Sequence, residues 1–129
     1  MEKTFTKTIL KYDILNKNDR IYTKDVVLKM IEDFNMTEEP LIGELCGDEA
    51  DLTEIIDLSK VSHELKDLYL NEDSKELIGE FEILPTPQGK LLEMMNEKDV
   101  VVEPRGYGHI NDKKEVWGYE LISFNVVNK

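Results

Sequence analysis

Apolar and polar positions alternate most clearly over residues 75–84. There Leu77, Gly79, Phe81 and Ile83 take one side of a strand, and Ile78, Glu80 and Glu82 the other. Residues 60–70 read as a preceding strand, and Asn71-Glu72-Asp73-Ser74 between the two has hairpin-turn composition. Further strands are predicted over 4–15, 41–45, 99–102 and 116–122, with 124–127 as a closing one. The period changes at two places. Behind Thr23, a candidate N-cap, Val26, Val27, Met30, Ile31 and Phe34 recur at helical spacing until Pro40 stops any continuation. Thr86-Pro87 offers a second cap, with proline at the first helical position. Leu91, Leu92, Met94 and Met95 follow it on a helix expected to end near Lys98. Mostly strands with two helices predicts an α+β fold, built on a mostly antiparallel curved sheet or small β-barrel.

At 129 residues the chain fits a single domain over 1–129. No stretch approaches the roughly 18 apolar residues of a membrane span, and Met1-Glu2-Lys3-Thr4 lacks the apolar core of a signal peptide. One cysteine, Cys46, excludes an intramolecular disulfide and fits a reducing cytoplasm. The charge is less ordinary. Twenty-eight acids against sixteen bases give a net charge of −12, which disfavours direct nucleic-acid binding.

The imbalance is concentrated. Between Met30 and Ser59 stand Glu32, Asp33, Glu38, Glu39, Glu44, Asp48, Glu49, Asp51, Glu54 and Asp57, with no lysine or arginine. Three readings are open: a solvated acidic surface, a docking face for a basic partner, or a divalent-metal loop at Asp48-Glu49-Ala50-Asp51. The loop lacks the glycine and distal bidentate glutamate of an EF-hand, so neither metal nor cofactor is expected.

Five short stretches stand in a telling order. They are Asn16-Lys17-Asn18-Asp19-Arg20-Ile21-Tyr22, Gly43-Glu44-Leu45, Val61-Ser62-His63, Ile83-Leu84-Pro85-Thr86-Pro87-Gln88-Gly89, and Arg105-Gly106-Tyr107-Gly108. Together they resemble the frame of the phage prohead proteases, serine enzymes that trim scaffold inside an immature capsid, along 16–128. The resemblance implies the fold shared with herpesvirus capsid proteases, a small β-barrel flanked by helices, and places the family's catalytic histidine at His63. Where that pattern reads Ser-Ser-Arg-Gly, this chain has Glu103-Pro104-Arg105-Gly106, and the family's late aspartate falls on Asn125. A glutamate has no hydroxyl to acylate, and proline removes a backbone N–H as well. Asn125 lacks the charge that would stabilise an imidazolium. Cys46-Gly47-Asp48 also replaces the family's Asp/Asn-His-Pro turn. The catalytic set is therefore expected to be a remnant: His63, Glu103, Pro104 and Asn125.

The other reactive residues have plainer readings. Ser62 adjoins His63, but strand neighbours point to opposite faces, so no dyad is expected there. Cys46 with His63 is a conceivable thiol–imidazole pair, though a lone cysteine is more often a small core residue. Ser123 serves only if the last strand approaches His63. His109 reads as a surface or turn residue. Arg105, Gly106 and Gly108 read as a tight or positive-φ turn after the 99–102 strand, with Arg105 paired to Glu103 or to an acid from another strand; ligand binding at the three is the alternative. Trp117 and Tyr119 share a strand face and are core or interface candidates, with the core favoured.

Three functions follow. The first is a catalytically inactive, prohead-protease-like protein of a tailed phage, binding capsid, scaffold or another virion protein in the host cytoplasm, prohead or virion. The second is an acidic phage effector that inhibits a basic host protein through a surface such as Glu38, Glu39, Asp48, Glu49, Asp51 and Glu54. The third is a protease with a different nucleophile. No membrane partner is expected, and self-association is left open.

Overall fold

A computed structural model describes residues 1–46 and 55–128. Among the described residues, seven strands and two α-helices follow one another: β1 (Thr4–Lys11), β2 (Ile21–Tyr22), α1 (Lys24–Met36), β3 (Leu41–Cys46), β4 (Val61–Asn71), β5 (Glu76–Ile83), α2 (Pro87–Glu93), β6 (Val100–Ile110) and β7 (Glu115–Asn128). The strands form one curled sheet in the order β1-β5-β4-β3-β7, with β6 on one edge of β7 and β2 beyond β3 on the other. The curl brings β1 against β6, so the sheet is a half-barrel. The expected α+β fold with a mostly antiparallel curved sheet is present. It is mixed, however, because β3 and β2 both run parallel to β7.

Local chemistry sets the helices. The Thr23 hydroxyl accepts from the Val26 N–H and caps α1, whose Val26, Val27 and Met30 enter the core. Thr86 does the same for Gly89 at the start of α2, and its own hydroxyl donates to the Val61 carbonyl at 2.5 Å, tying α2 to β4. α2 ends at Glu93 rather than near Lys98. Its last amides fold back on the carbonyls three residues earlier, and Asn96 then caps a separate 3-10 turn, Glu97–Asp99. Phe5, Leu65, Leu77, Phe81, Val102, Phe124 and Val126 fill the interior of the curl, with Phe5 stacked on Phe81.

Four local expectations need correction. β1 stops at Lys11, not at 15, because Tyr12 leaves the ladder and Asp13 takes a left-handed conformation at φ 62°. β6 does not turn at its glycines but continues to Ile110, and β7 runs unbroken from Glu115 to Asn128. Neither Gly106 nor Gly108 has a positive φ. Gly106 is needed for a close approach instead: a Cβ there would lie 2.2 Å from the Glu120 carbonyl oxygen and 2.8 Å from the Tyr119 ring. Finally, Trp117 is 54% exposed, although Tyr119 is buried. Gly118 between them has φ 57° and lies in a register shift against β6, which breaks the alternation and sends the two rings apart. Trp117 stacks outside on His109, with centroids 4.5 Å apart.

Candidate functional site

His63 lies on β4, between Gly43 of β3 and Ile83 of β5. Its ring passes over Gly43 and reaches the next strand, where Nε2 is 2.7 Å from the Phe124 carbonyl oxygen of β7. The crossing requires glycine. A Cβ at position 43 would sit 2.1 Å from that oxygen and 2.3 Å from Nε2. A carbonyl only accepts, so Nε2 carries the proton and Nδ1 is the bare nitrogen. Nδ1 is 2.7 Å from Ser62 Oγ, which donates to it.

The expectation that Ser62 and His63 would be kept apart is therefore wrong in its outcome. Successive Cβ atoms do diverge, but the short serine side chain bends back to its neighbour's near ring nitrogen. The contact lies in the interior of the molecule. Ser62 is 0% and His63 1% exposed, and the ring packs edge-on against Phe81 of the core. Burial lowers the imidazole pKa to about 4, against a partial opposing effect of the Phe124 carbonyl. The folded protein thus holds a neutral, enclosed imidazole with both ring nitrogens engaged.

The other positions singled out with His63 in the sequence lie on the β6–β7 pair. Glu103 stands opposite Asn125, Pro104 opposite Phe124, and Arg105 opposite Ser123. Glu103, Asn125, Arg105 and Ser123 share one face, while Val102, Phe124 and Val126 point into the core on the other. Pro104 is tolerated because, among the described residues, β6 pairs with β7 alone and its other edge carries no ladder. Asn125 does not approach the imidazole through a hydrogen bond; its Oδ1 accepts from the Glu44 N–H at 3.4 Å. Ser123 Oγ donates to the Ile42 carbonyl. Cys46 is buried, and its thiol points to the Glu44 carbonyl rather than to His63. Its pKa is raised by burial first, then by the Glu44 carboxylate, so the thiolate is disfavoured.

Arg105 is the anchor of this face. Its Nη1 lies 2.5 Å from Glu44 Oε2, with the two residues 3% and 5% exposed. Nη2 also donates to the Ile55 carbonyl at 3.1 Å, and the Asp57 N–H donates to Glu44 Oε2 at 2.9 Å. Arg105 is thus consumed in an interior ion pair with an acid from another strand. Gly106 and Gly108 border an adjoining cleft of about 280 Å³ shared with Arg20, Tyr22 and Tyr119.

Glu44, counted among the run of acids by composition, is not on the surface. Glu38 and Glu39 are exposed beyond the end of α1. Asp48, Glu49, Asp51 and Glu54, including the candidate metal loop, lie outside the described residues. Among the described residues no group of three or more His, Cys, Asp or Glu is placed to hold a metal. Sequence reasoning missed Gly43 as the passage for the imidazole and Glu44 as the partner of Arg105. The available signal was their adjacency inside one matching stretch.

A half-barrel with two capped helices, and a buried histidine near the start of β4, is a prohead-protease-like fold. Among solved structures, that of the bacteriophage T4 capsid assembly protease, gp21, superposes with a TM-score of 0.75 and 20% sequence identity. The match covers 98% of this chain and 81% of that one. No family model and no curated protein matches the sequence.

Proposed function

We propose that this protein is a non-hydrolytic relative of the prohead proteases, serving a tailed phage as a binding or structural component in capsid assembly or in the virion. The single observation that carries the reading is the state of His63. Both ring nitrogens are committed, to Ser62 and to the Phe124 carbonyl, in a site closed to solvent. Glu103 and Pro104 provide no hydroxyl at the positions aligned with the family's serines. The fold retained without that chemistry leaves surfaces as its working parts, and a likeness to a capsid assembly protease suggests which proteins they meet.

The decisive experiment is affinity capture from infected cells, run beside a protein census of purified proheads and virions. Enrichment of capsid or scaffold proteins, or incorporation into particles, is expected. Finding neither, with a basic host protein captured instead through a salt-sensitive contact, would replace this reading by the host-inhibitor one.

A further inference from the structure

Trp117, the single tryptophan of the chain, borders a cleft of about 340 Å³ between β7 and the start of α1. Buried Val26, Val116 and Tyr119 form the apolar base of this cleft, and Asp25 of α1 and Glu115 of β7 line it as well. His109, stacked on the indole, lines the neighbouring cleft and not this one. The stacked pair is therefore the wall between the two clefts, and the indole turns its uncovered side to the α1 cleft. The polar groups decide what the cleft can take. Lys29 lines it too, but its ammonium is engaged by Asp33 at 2.8 Å and by the Tyr119 carbonyl. Asn111 donates its amide to Glu115 Oε1 at 3.0 Å, and its Oδ1 receives the Lys113 and Glu115 N–H groups. Lys114, next to Glu115, is paired with Asp19. Lys29 and Lys114 are thus matched with other acids, and Asp25 and Glu115 face the cleft as acceptors. A hydroxylic ligand needs donors as well as acceptors, whereas a cation needs only carboxylates and a π-face.

We propose that this cleft is a recognition site for an arginine side chain presented by a basic segment of a partner protein. The guanidinium is flat, so it lies against the indole while its fork of N–H groups reaches the Asp25 and Glu115 carboxylates. An ammonium satisfies the charge but not the plane. The apolar base takes the methylene stem, and the net charge of −12 draws a basic segment toward the surface. This goes beyond the proposed role, because it names a side chain whichever protein carries it. It also uses a surface separate from the acids between residues 30 and 59.

The test uses the purified full chain, a capped glycine–arginine–glycine peptide, and the same peptide with citrulline in place of arginine. Citrulline keeps the shape and removes the charge. In nitrogen–proton NMR titrations the Val26, Gly118 and Tyr119 amides should shift saturably with the arginine peptide. Its affinity should exceed that of the citrulline peptide by about tenfold or more. Emission from Trp117 should change over the same concentrations. Asp25→Asn combined with Glu115→Gln should weaken the arginine peptide by about tenfold, and the amide placed at 115 still accepts from Asn111. Equal affinities for the two peptides, or an unchanged affinity in the double variant, would overturn the assignment. So would shifts centred on the exposed Glu38 and Glu39, which would mark a general attraction of charge. Shifts of the cleft amides with maltotriose, but none with the arginine peptide, would overturn it in favour of a sugar.

Discussion

His63 Nε2 and the Phe124 carbonyl oxygen lie 2.7 Å apart, joined across a strand to which neither belongs. β4 supplies the donor, β7 the acceptor, and β3 runs between them, open to the ring only because position 43 carries no side chain. His63 is thus a tie between strands.

Gly43→Ala should be strongly destabilising. The added methyl would meet the Phe124 oxygen and the His63 ring together, and overpacking of this kind costs about 1–3 kcal/mol or more. Urea denaturation checks it. A double variant with His63→Ala should recover only part of the loss, because the clash with the backbone oxygen remains.

Stability should fall on acidification through the range set by His63. Its folded pKa, about 4, lies below the unfolded value of 6.5, so the unfolded chain binds the proton first. The contribution is complete above pH 6.5 and is lost progressively toward pH 4, at up to about 1.4 kcal/mol per pH unit. Comparing unfolding free energies of the wild type and His63→Gln over this range isolates the effect. Identical slopes would show that the ring is not held neutral in the folded state.

Ser62→Ala should cost about 1–3 kcal/mol, because Nδ1 would be left buried without its donor. It should leave peptide cleavage at the blank level, as should the wild type, when each is incubated with scaffold protein. Cleavage by the wild type that disappears in Ser62→Ala would restore the protease reading. Nitrogen NMR of the imidazole should show Nε2 protonated and Nδ1 bare.

Removing either member of the Glu44–Arg105 pair should destabilise by about 3–5 kcal/mol, since the other charge is left buried. Glu44→Leu combined with Arg105→Met should cost clearly less than the sum of the single changes. A double-mutant cycle in urea measures that coupling.

Trp117→Ser should change stability by less than about 1 kcal/mol, against about 3–5 kcal/mol for an aromatic truncated in a core. Tyr119→Ala should show the larger cost. Tryptophan emission from the folded wild type, arising from this one residue, should already be red-shifted toward that of a solvated indole.

What the sequence displayed and what it hid divide by range. β5 was legible because its alternation records a strand with one buried face, and both helices were legible because Thr23 and Thr86 are local caps. The β6 glycines were misread as a turn, since a glycine admits positive φ and close approach equally, and only the Tyr119 ring decides between them. Trp117 was misplaced because one left-handed residue, Gly118, reverses the alternation beyond it. Within the candidate site, His63 stood out through its neighbours in a matching stretch. Its Phe124 partner is 61 residues away and is a backbone atom, which no side-chain pattern marks. Glu44 carried a charge that composition assigns to water by default, whereas an interior arginine reserved it.

The position of β7 has a consequence for the order in which the molecule can assemble. β3, β4 and β5 can form an antiparallel meander, with β1 on its β5 edge, as soon as residue 83 is available, but β7, the last of these strands in chain order, lies inside the sheet between β3 and β6. Until it docks, the Leu45 edge of β3 is open, β6 has no partner, and the His63 N–H has no acceptor. Contacts of such long separation are slow to close, so a nascent chain will carry an exposed strand edge until synthesis passes residue 128. Final closure of this half-barrel therefore waits on β7, and that wait is the interval in which the chain is most prone to pair with the wrong neighbour.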